Sequence, residues 1–133
     1  GIDQKAVGLA VSPDGKWIAY RYPPNPDGPP RDIVIVPFEG QEPVKSLAVP
    51  SADFASWNPI KWSADGRAVL YVSTQARTSN IWSLPIDGSA PKQLTRFRSE
   101  LINGFDLSPD GKQLACQRTL NITDVALMTG IDK

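Results

Sequence analysis

Short apolar runs alternate with clusters of turn residues along the whole chain, and no stretch sustains the 3.6-residue spacing of an amphipathic helix. Each run spans four to six residues and is bounded by Gly, Pro, Asp or Ser, which predicts β-strands joined by turns. The runs fall at 6–11, 17–20, 32–36 and 44–49, then at 59–62, 68–72, 80–84 and 92–95, and finally at 104–107, 113–116 and 124–128. We therefore predict an all-β chain of three antiparallel four-stranded meanders, the last of which lacks its outer strand.

The turn after the first run of each meander has almost the same sequence three times. Ser-Pro-Asp-Gly stands at 12–15 and 108–111 and Ser-Ala-Asp-Gly at 63–66, with starts 51 and 45 residues apart, which indicates a repeat architecture. Proline fixes φ for the turn, Asp bonds nearby amides, and Gly supplies the left-handed conformation that closes the hairpin. We assign six turn residues a structural role: Asp14, Gly15, Asp65, Gly66, Asp110 and Gly111.

Further short motifs recur around this turn. In the first and third meanders a lysine follows the turn, and Ile-Ala-Tyr or Leu-Ala-Cys begins two residues after that lysine. The second meander carries Asn-Ile-Trp-Ser-Leu at 80–84 and Lys-Gln-Leu-Thr at 92–95. This set resembles the blade repeat of TolB-like β-propellers, relatives of the WD-repeat class, over nearly the whole chain. The resemblance implies one propeller segment at 1–133, with blades at about 5–50, 56–96 and 102–130. Ala64, in place of the turn proline, and Cys116, in place of a frequent aromatic, depart from the pattern.

The resemblance also implies a setting. The part from residue 80 onward is similar to the C-terminal propellers of bacterial multidomain proteins, in which a winged-helix DNA-binding domain or a Ser/Thr kinase domain precedes the blades. It implies a non-enzymatic module for protein or ligand recognition, the sensory or scaffolding part of a signalling or transcription regulator. Two alternatives stay open: a propeller fragment that gates substrate access in a prolyl-peptidase-like hydrolase, and a periplasmic TolB-type envelope protein. The compartment, periplasmic or cytoplasmic, depends on the upstream region.

Composition removes several classes of function. Lys+Arg and Asp+Glu both number 14, so no basic excess favours nucleic acid as a partner of this segment. The chain has no histidine and a single cysteine, so it has no histidine base and no cysteine pair for a disulfide or zinc. It has no Gly-x-Ser-x-Gly elbow or His-Arg-Asp segment, and no apolar run near the roughly 18 residues of a membrane span. We predict no catalytic residues, cofactor or metal, and no membrane contact by this segment.

The three turn carboxylates, Asp14, Asp65 and Asp110, invite a catalytic or calcium-binding hypothesis. Each belongs to a different predicted blade, so we expect the carboxylates to lie well apart and not to act on one atom. A calcium site needs six or more converging oxygens, and no dense Asp/Asn cluster is present. Turn geometry accounts for them better.

The best candidates for contacts with other molecules are a proline-rich loop at 23–30 and an aromatic side chain in a connecting segment, with a stiff connection between strands as the alternative interpretation of the loop. Prolines cannot donate strand hydrogen bonds, so the loop belongs at the surface. Tryptophans on predicted strands are expected to pack the core instead. The binding candidates are Arg21, Pro24, Pro29, Arg31 and Trp57.

Three blades do not close a ring, because propellers have about four to eight blades and each sheet needs a neighbour on both faces. The outer faces of the first and third sheets are expected to expose apolar strands such as 33–36. We therefore predict a homo-oligomer, most simply a dimer that forms a six-bladed ring, in addition to protein partners of unknown identity.

Overall fold

The computed structural model describes residues 7–22, 32–40, 45–49, 60–119 and 123–129. Within these ranges the chain forms β-strands and no helix. The strands are β1 (Val7–Val11), β2 (Trp17–Tyr22), β3 (Asp32–Pro37), β4 (Lys45–Ala48), β5 (Lys61–Trp62), β6 (Ala68–Gln75), β7 (Thr78–Pro85), β8 (Lys92–Gln93), β9 (Leu101–Leu107), β10 (Gln113–Thr119) and β11 (Thr123–Thr129).

The strands form three antiparallel meanders in chain order. The first sheet has the order β1-β2-β3-β4, the second β5-β6-β7-β8, and the third β9-β10-β11. Each pair of neighbouring strands is antiparallel, as short connections require. The predicted four-stranded meanders and the three-stranded last sheet are thus confirmed for the described part of the chain.

The central hairpin of the second sheet is longer than the sequence indicated. β6 and β7 stay paired as far as Gln75 and Thr78, whereas strands were predicted only at 68–72 and 80–84. The two turn residues between them, Ala76 and Arg77, have φ values of 48° and 62°. Two successive positive values are typical of a type I′ turn, which usually carries Asn or Gly. The sequence lacks that signal here, so the extension was missed.

The second sheet is buried on both of its faces. Val69 and Tyr71 of β6 belong to a core cluster shared with Ala19 and Ile33 of the first sheet. Leu70 and Val72, which point the other way, belong to a cluster shared with the third sheet, including Ile102, Phe105 and Leu114. Because neighbouring sheets cover both faces, β6 is an almost continuous apolar run rather than an alternating one.

The apolar run at 33–36 in β3 is buried, which corrects the expectation that it forms an exposed outer face. Ile33 and Ile35 pack toward the second sheet. Val34 and Val36 form a separate buried cluster with Tyr20, against which Ile18 packs. The strand is apolar because both of its faces lie in core clusters.

Exposed apolar side chains lie elsewhere. Leu9 and Val11 of β1 are 60% and 52% exposed, Phe38 in the following turn region is 55% exposed, and Leu101 at the start of β9 is 43% exposed. Two of these four residues therefore share the first strand of the first sheet.

Cys116 occupies the position that holds a tyrosine in the other two sheets. Tyr20, Tyr71 and Cys116 each lie eight residues after the serine of the preceding turn, and all three are buried. Burial raises the pKa of the Cys116 thiol to about 11, so the thiol stays protonated at neutral pH. Its role is packing.

The hairpin turns of successive sheets touch one another. We call residues 12–15, 63–66 and 108–111 the first, second and third tips. The Cδ of Pro13 lies 3.8 Å from the position that a Cβ would take on Gly66, and the Cβ of Ala64 lies 2.6 Å from that position on Gly111. In both contacts the second residue of one tip meets the glycine of the next. Gly111 therefore serves two purposes, a left-handed φ of 72° and a close approach by its neighbour.

Replacing Gly111 and Gly15 by alanine separates these two purposes. Both glycines have φ near +73°, but no atom of the described chain lies within 4 Å of the Cβ position of Gly15. Both substitutions place an alanine in the left-handed region, which lowers the free energy of unfolding by about 1 kcal/mol. Gly111→Ala adds an overlap with Ala64, which costs about 1–3 kcal/mol more. Equilibrium urea unfolding measures the difference, and equal losses for the two variants would contradict the tip contact.

Candidate functional site

A groove of about 410 Å³ lies where the first strands of the three sheets and their tips meet. Its walls include Leu9 and Val11 of β1, Lys61 of β5 and Asp106 of β9. We call it the inner-strand groove. β1, β5 and β9 are the edge strands of their sheets, each paired with a single strand, so their other sides remain available to the groove.

Two contacts connect the first strands of neighbouring sheets. The indole Nε1 of Trp62 donates a hydrogen bond of 2.9 Å to the carbonyl oxygen of Ala10, which joins β5 to β1. The Nζ of Lys61 lies 4.0 Å from Oδ1 of Asp106, which links β5 to β9. A tryptophan that is 93% buried needs such a partner for its N–H, so the first contact orders the groove wall.

The ion pair in the groove is long and exposed to solvent. The side chains of Lys61 and Asp106 are 39% and 77% exposed, and their charged atoms lie at the outer limit of an ion-pair distance. Exposed pairs of this kind stabilise a fold by about 1 kcal/mol or less. Both charges can therefore turn to a ligand at little cost.

The three tips that border the groove share one set of hydrogen bonds. In each tip the serine hydroxyl donates to Oδ1 of the Asp two residues later, at 2.6, 2.7 and 2.6 Å. The same Oδ1 accepts the backbone N–H two residues after the Asp at 3.0 Å. The serine Oγ accepts the backbone N–H five residues after it, also at 3.0 Å. The side chains thus close the turn from inside.

The tip carboxylates act as acceptors within their own turns. Hydrogen bonds from Ser12 and from the Lys16 backbone hold the pKa of Asp14 below its usual value, and Ser108 and the Lys112 backbone do the same for Asp110. Neighbouring tips are in contact, since Ala64 meets Gly111, but the expected separation of the three carboxylates stays a prediction. Among the residues that the structure describes, no group of three or more Asp, Glu or Cys side chains could hold a metal ion.

The serine hydroxyl is expected to matter most where its turn is buried. In the second tip Ser63 accepts the buried N–H of Ala68, whereas in the third tip the N–H of Gln113 that Ser108 accepts is exposed. Ser63→Ala leaves a buried donor without an acceptor, which costs about 1–3 kcal/mol. Ser108→Ala lets water replace the hydroxyl and costs about 1 kcal/mol or less. Urea unfolding of both variants tests this order, and a larger loss for Ser108→Ala would refute it.

Acid should weaken the fold through the tips. The pKa of Asp110 in the folded chain lies below its ordinary value of 3.8, so its ionised form favours folding above about pH 4. That contribution is lost as the pH falls through the folded pKa. Asp110→Asn should lower stability at pH 7 and flatten the decline between neutral pH and pH 2. Urea midpoints measured across this range test it, and a decline as steep as that of the wild type would contradict it.

Of the sequence-predicted binding residues, the structure describes Arg21. Arg21 lies in β2 with 1% of its surface exposed, and it is not among the groove-lining residues. Burial lowers the pKa of its guanidinium to about 10, which leaves it charged at neutral pH. Pro24, Pro29, Arg31 and Trp57 lie outside the described residues, so their binding role stays a prediction.

A second group that sequence analysis missed fixes the connection between the second and third sheets. Oδ1 of Asn80 accepts the hydroxyl of Thr95 at 2.9 Å and the N–H of Phe97 at 2.6 Å, and its Nδ2 donates to the Phe97 carbonyl. Thr95 in turn accepts the N–H of Ile81 at 2.9 Å. Asn80 begins the motif at 80–84 and Thr95 ends the motif at 92–95, and this recurrence was the only sign in the sequence that the two residues matter. Their pairing across 15 residues could not be seen in the sequence.

The same connection is anchored on the third sheet by Arg118. Its guanidinium carbon lies 3.8 Å from the centre of the Phe97 ring, and its Nε lies 3.4 Å from Oε2 of Glu100. Glu100 has a φ of 78°, which is strained for a residue with a side chain. The ion pair and the aromatic contact compensate for that strain and hold the third sheet in place.

No stretch of the described chain forms a helix suited to crossing a lipid bilayer.

Comparison with known proteins agrees with this geometry. No protein-family model matches the chain. Its structure superposes on a putative TolB from Agrobacterium tumefaciens with a TM-score of 0.75 at 21% identity, over 97% of this chain and 44% of that one. TolB from Acinetobacter baumannii gives a TM-score of 0.71 at 22% identity, over 92% of this chain and 29% of that one. The fold is that of TolB-like propeller blades.

Two curated sequences resemble this propeller segment over a shorter range. Dipeptidyl-peptidase 5 of Trichophyton schoenleinii and of Arthroderma benhamiae are each 31% identical to it over 93 residues, which is 65% of this chain. The chain spans 12% of the length of these two proteins and less than half of either TolB structure. The likeness therefore describes a propeller module, and the activity of any whole protein is a matter for proposal.

Proposed function

We propose that this propeller segment recognises a protein partner at the inner-strand groove and carries out no reaction of its own. The observation that carries the proposal is the groove itself, where exposed Leu9 and Val11 lie beside the loosely paired Lys61 and Asp106. A volume of about 410 Å³ is in the usual range for ligand-binding pockets. A mostly polar groove that also carries exposed apolar side chains and one charge of each sign suits an extended peptide segment.

The composition of the chain supports a binding role over a catalytic one. It contains no histidine to act as a general base. The serine hydroxyls beside the groove, Ser12, Ser63 and Ser108, donate to the tip carboxylates, so each is committed to its turn. The proposed setting is the sensory or scaffolding part of a bacterial signalling or transcription regulator, and its support is the similarity of the repeats to propellers of that kind.

A second candidate is favoured by the 31% identity to the two dipeptidyl-peptidases. In this hypothesis the blades belong to a hydrolase and control access of peptides to a catalytic domain on the same polypeptide. It requires a Gly-x-Ser-x-Gly nucleophile in the full-length protein. Release of dipeptides from chromogenic substrates by that protein would support it, and the absence of such a domain from the coding sequence would exclude it.

Groove substitutions test the recognition hypothesis. Random peptides of about twelve residues, which extend to about 40 Å, are displayed on phage and selected on the wild-type protein. We expect Lys61→Ala and Asp106→Ala each to weaken binding of the selected peptides about tenfold, which corresponds to about 1.4 kcal/mol. Lys92→Ala, which removes an exposed lysine outside the groove, is the control and should bind like wild type.

Fluorescence anisotropy with labelled peptides gives the dissociation constants. Circular dichroism confirms that the variants fold. Equal affinity of the two groove variants, the control and wild type would contradict the groove as the binding site, as would failure to select any peptide.

A further inference from the structure

A second pocket lies at the end of the second sheet that is opposite to its tip. It has a volume of about 340 Å³. β6 and β7 contribute Ser73 and Trp82 to its wall, β8 contributes Gln93, and the connection to the third sheet contributes Phe97 and Arg98. We call it the hairpin pocket. None of its described lining residues belongs to the inner-strand groove, so it is a separate site.

Strained backbone is concentrated around the hairpin pocket. In the described chain the residues other than glycine that have a positive φ are Ala76, Arg77 and Glu100. The first two form the turn of the β6–β7 hairpin, whose ends at 75 and 78 line the pocket, and the third lies two residues after Arg98. The N–H of Ser79 donates to the carbonyl of Glu100 at 2.9 Å and joins the two segments. Backbone of this kind clusters at ligand sites.

One wall of the pocket is held rigidly by contacts within the protein. The side chain of Asn80 bonds to the hydroxyl of Thr95 and to both backbone groups of Phe97, so its polar atoms are committed to the fold. The guanidinium of Arg118 lies over the Phe97 ring at 3.8 Å. The pocket is therefore formed before any ligand arrives.

The hydroxyl of Ser73 is a buried polar group whose partner is absent from the described chain. Ser73 is 4% exposed and lines the pocket, yet its hydroxyl bonds to no residue that the structure describes. The hydroxyls of the buried residues Ser63 and Ser79 both have partners. Buried polar groups nearly always form hydrogen bonds, so Ser73 indicates a polar ligand in the pocket.

Other lining groups are also left with unused hydrogen-bonding capacity. The indole N–H of Trp82 has no acceptor among the described residues, whereas that of Trp62 bonds to a carbonyl. Gln93 donates its Nε2 to the carbonyl of Thr95 at 2.8 Å, which leaves its Oε1 free to accept. The exposed guanidinium of Arg98 has no carboxylate partner in the described chain, and no Asp or Glu is among the described lining residues.

We propose that the hairpin pocket binds a small polyhydroxylated carboxylic acid, with the guanidinium of Arg98 on the carboxylate and Ser73, Trp82 and Gln93 on the hydroxyl groups. One guanidinium without a second cation suits a singly charged carboxylate better than a doubly charged phosphate. The half-buried rings of Trp82 and Phe97 offer apolar surface to the C–H groups of such a molecule. The volume is in the usual range for small-molecule sites.

Titration of the wild-type protein with three small molecules tests the proposed chemistry. D-glucuronate carries the carboxylate and the hydroxyl groups, D-glucose lacks the carboxylate, and cyclohexanecarboxylate lacks the hydroxyl groups. Binding is followed at neutral pH and low salt by proton–nitrogen NMR of the Trp82 indole, which is assigned from the spectrum of Trp82→Phe. We expect a saturable shift with glucuronate and about tenfold weaker binding of each of the other two.

Substitutions in the pocket separate its two kinds of contact. Arg98→Gln should weaken glucuronate binding about tenfold and leave glucose binding unchanged. Arg96→Gln is the matched control, because Arg96 is an exposed arginine of the same connection outside the described lining, and it should bind like wild type. Ser73→Ala should weaken both sugars severalfold without lowering the urea midpoint, because the fold loses no hydrogen bond.

Three results would overturn the proposal. One is the absence of a saturable shift with glucuronate. Another is equal affinity for glucuronate and either of the other two molecules, which would remove the carboxylate or the hydroxyl groups from recognition. The third is unchanged glucuronate affinity in Arg98→Gln. Peptide selection on the inner-strand groove depends on Lys61 and Asp106, which lie outside this pocket, so the two hypotheses can fail separately.

Discussion

The second sheet has to be buried on both faces, and the rest of the structure depends on that requirement. Val69 and Tyr71 of β6 face the first sheet, and Leu70 and Val72 face the third. Each fully buried side chain of this kind contributes about 1.5–3 kcal/mol relative to exposure. A four-stranded meander with two apolar faces is unstable alone, so it folds only between neighbours. The sheets stack because both apolar faces of the second sheet must be buried, and no single contact accounts for the stacking.

Stacking the sheets brings their first strands and tips together, and that is where the groove forms. The tips approach so closely at Ala64 and Gly111 that no side chain fits on the glycine. The serine and aspartate of each tip close the turn internally, which leaves the groove wall to apolar side chains and to Lys61 and Asp106. A site made in this way belongs to three sheets at once. It exists only when the sheets are assembled.

The same logic links the fold to a binding role. The TolB structures and the dipeptidyl-peptidases share the propeller likeness, although they are different kinds of protein. A rigid stack of sheets offers a surface without fixing what is done there, so function has to be argued from the groove. Rigidity is supported at the second connection by the Asn80 and Thr95 hydrogen bonds and by Arg118 stacked on Phe97. These residues hold the connection between the second and third sheets.

The sequence alone determined the strands, their order and the three tips, because these depend on local periodicity and on turn residues such as Asp14 and Gly111. It also placed the strand tryptophans in the core, as Trp62 shows. Only the tertiary structure decided which faces are covered: it buried Val34 and Val36, left Leu9 exposed and brought the tips into contact. An apolar residue in a strand shows that a face needs cover, but the neighbouring sheet that provides it is distant in sequence. Pairings such as Lys61 with Asp106 depend on that neighbour, so no local pattern could reveal the groove.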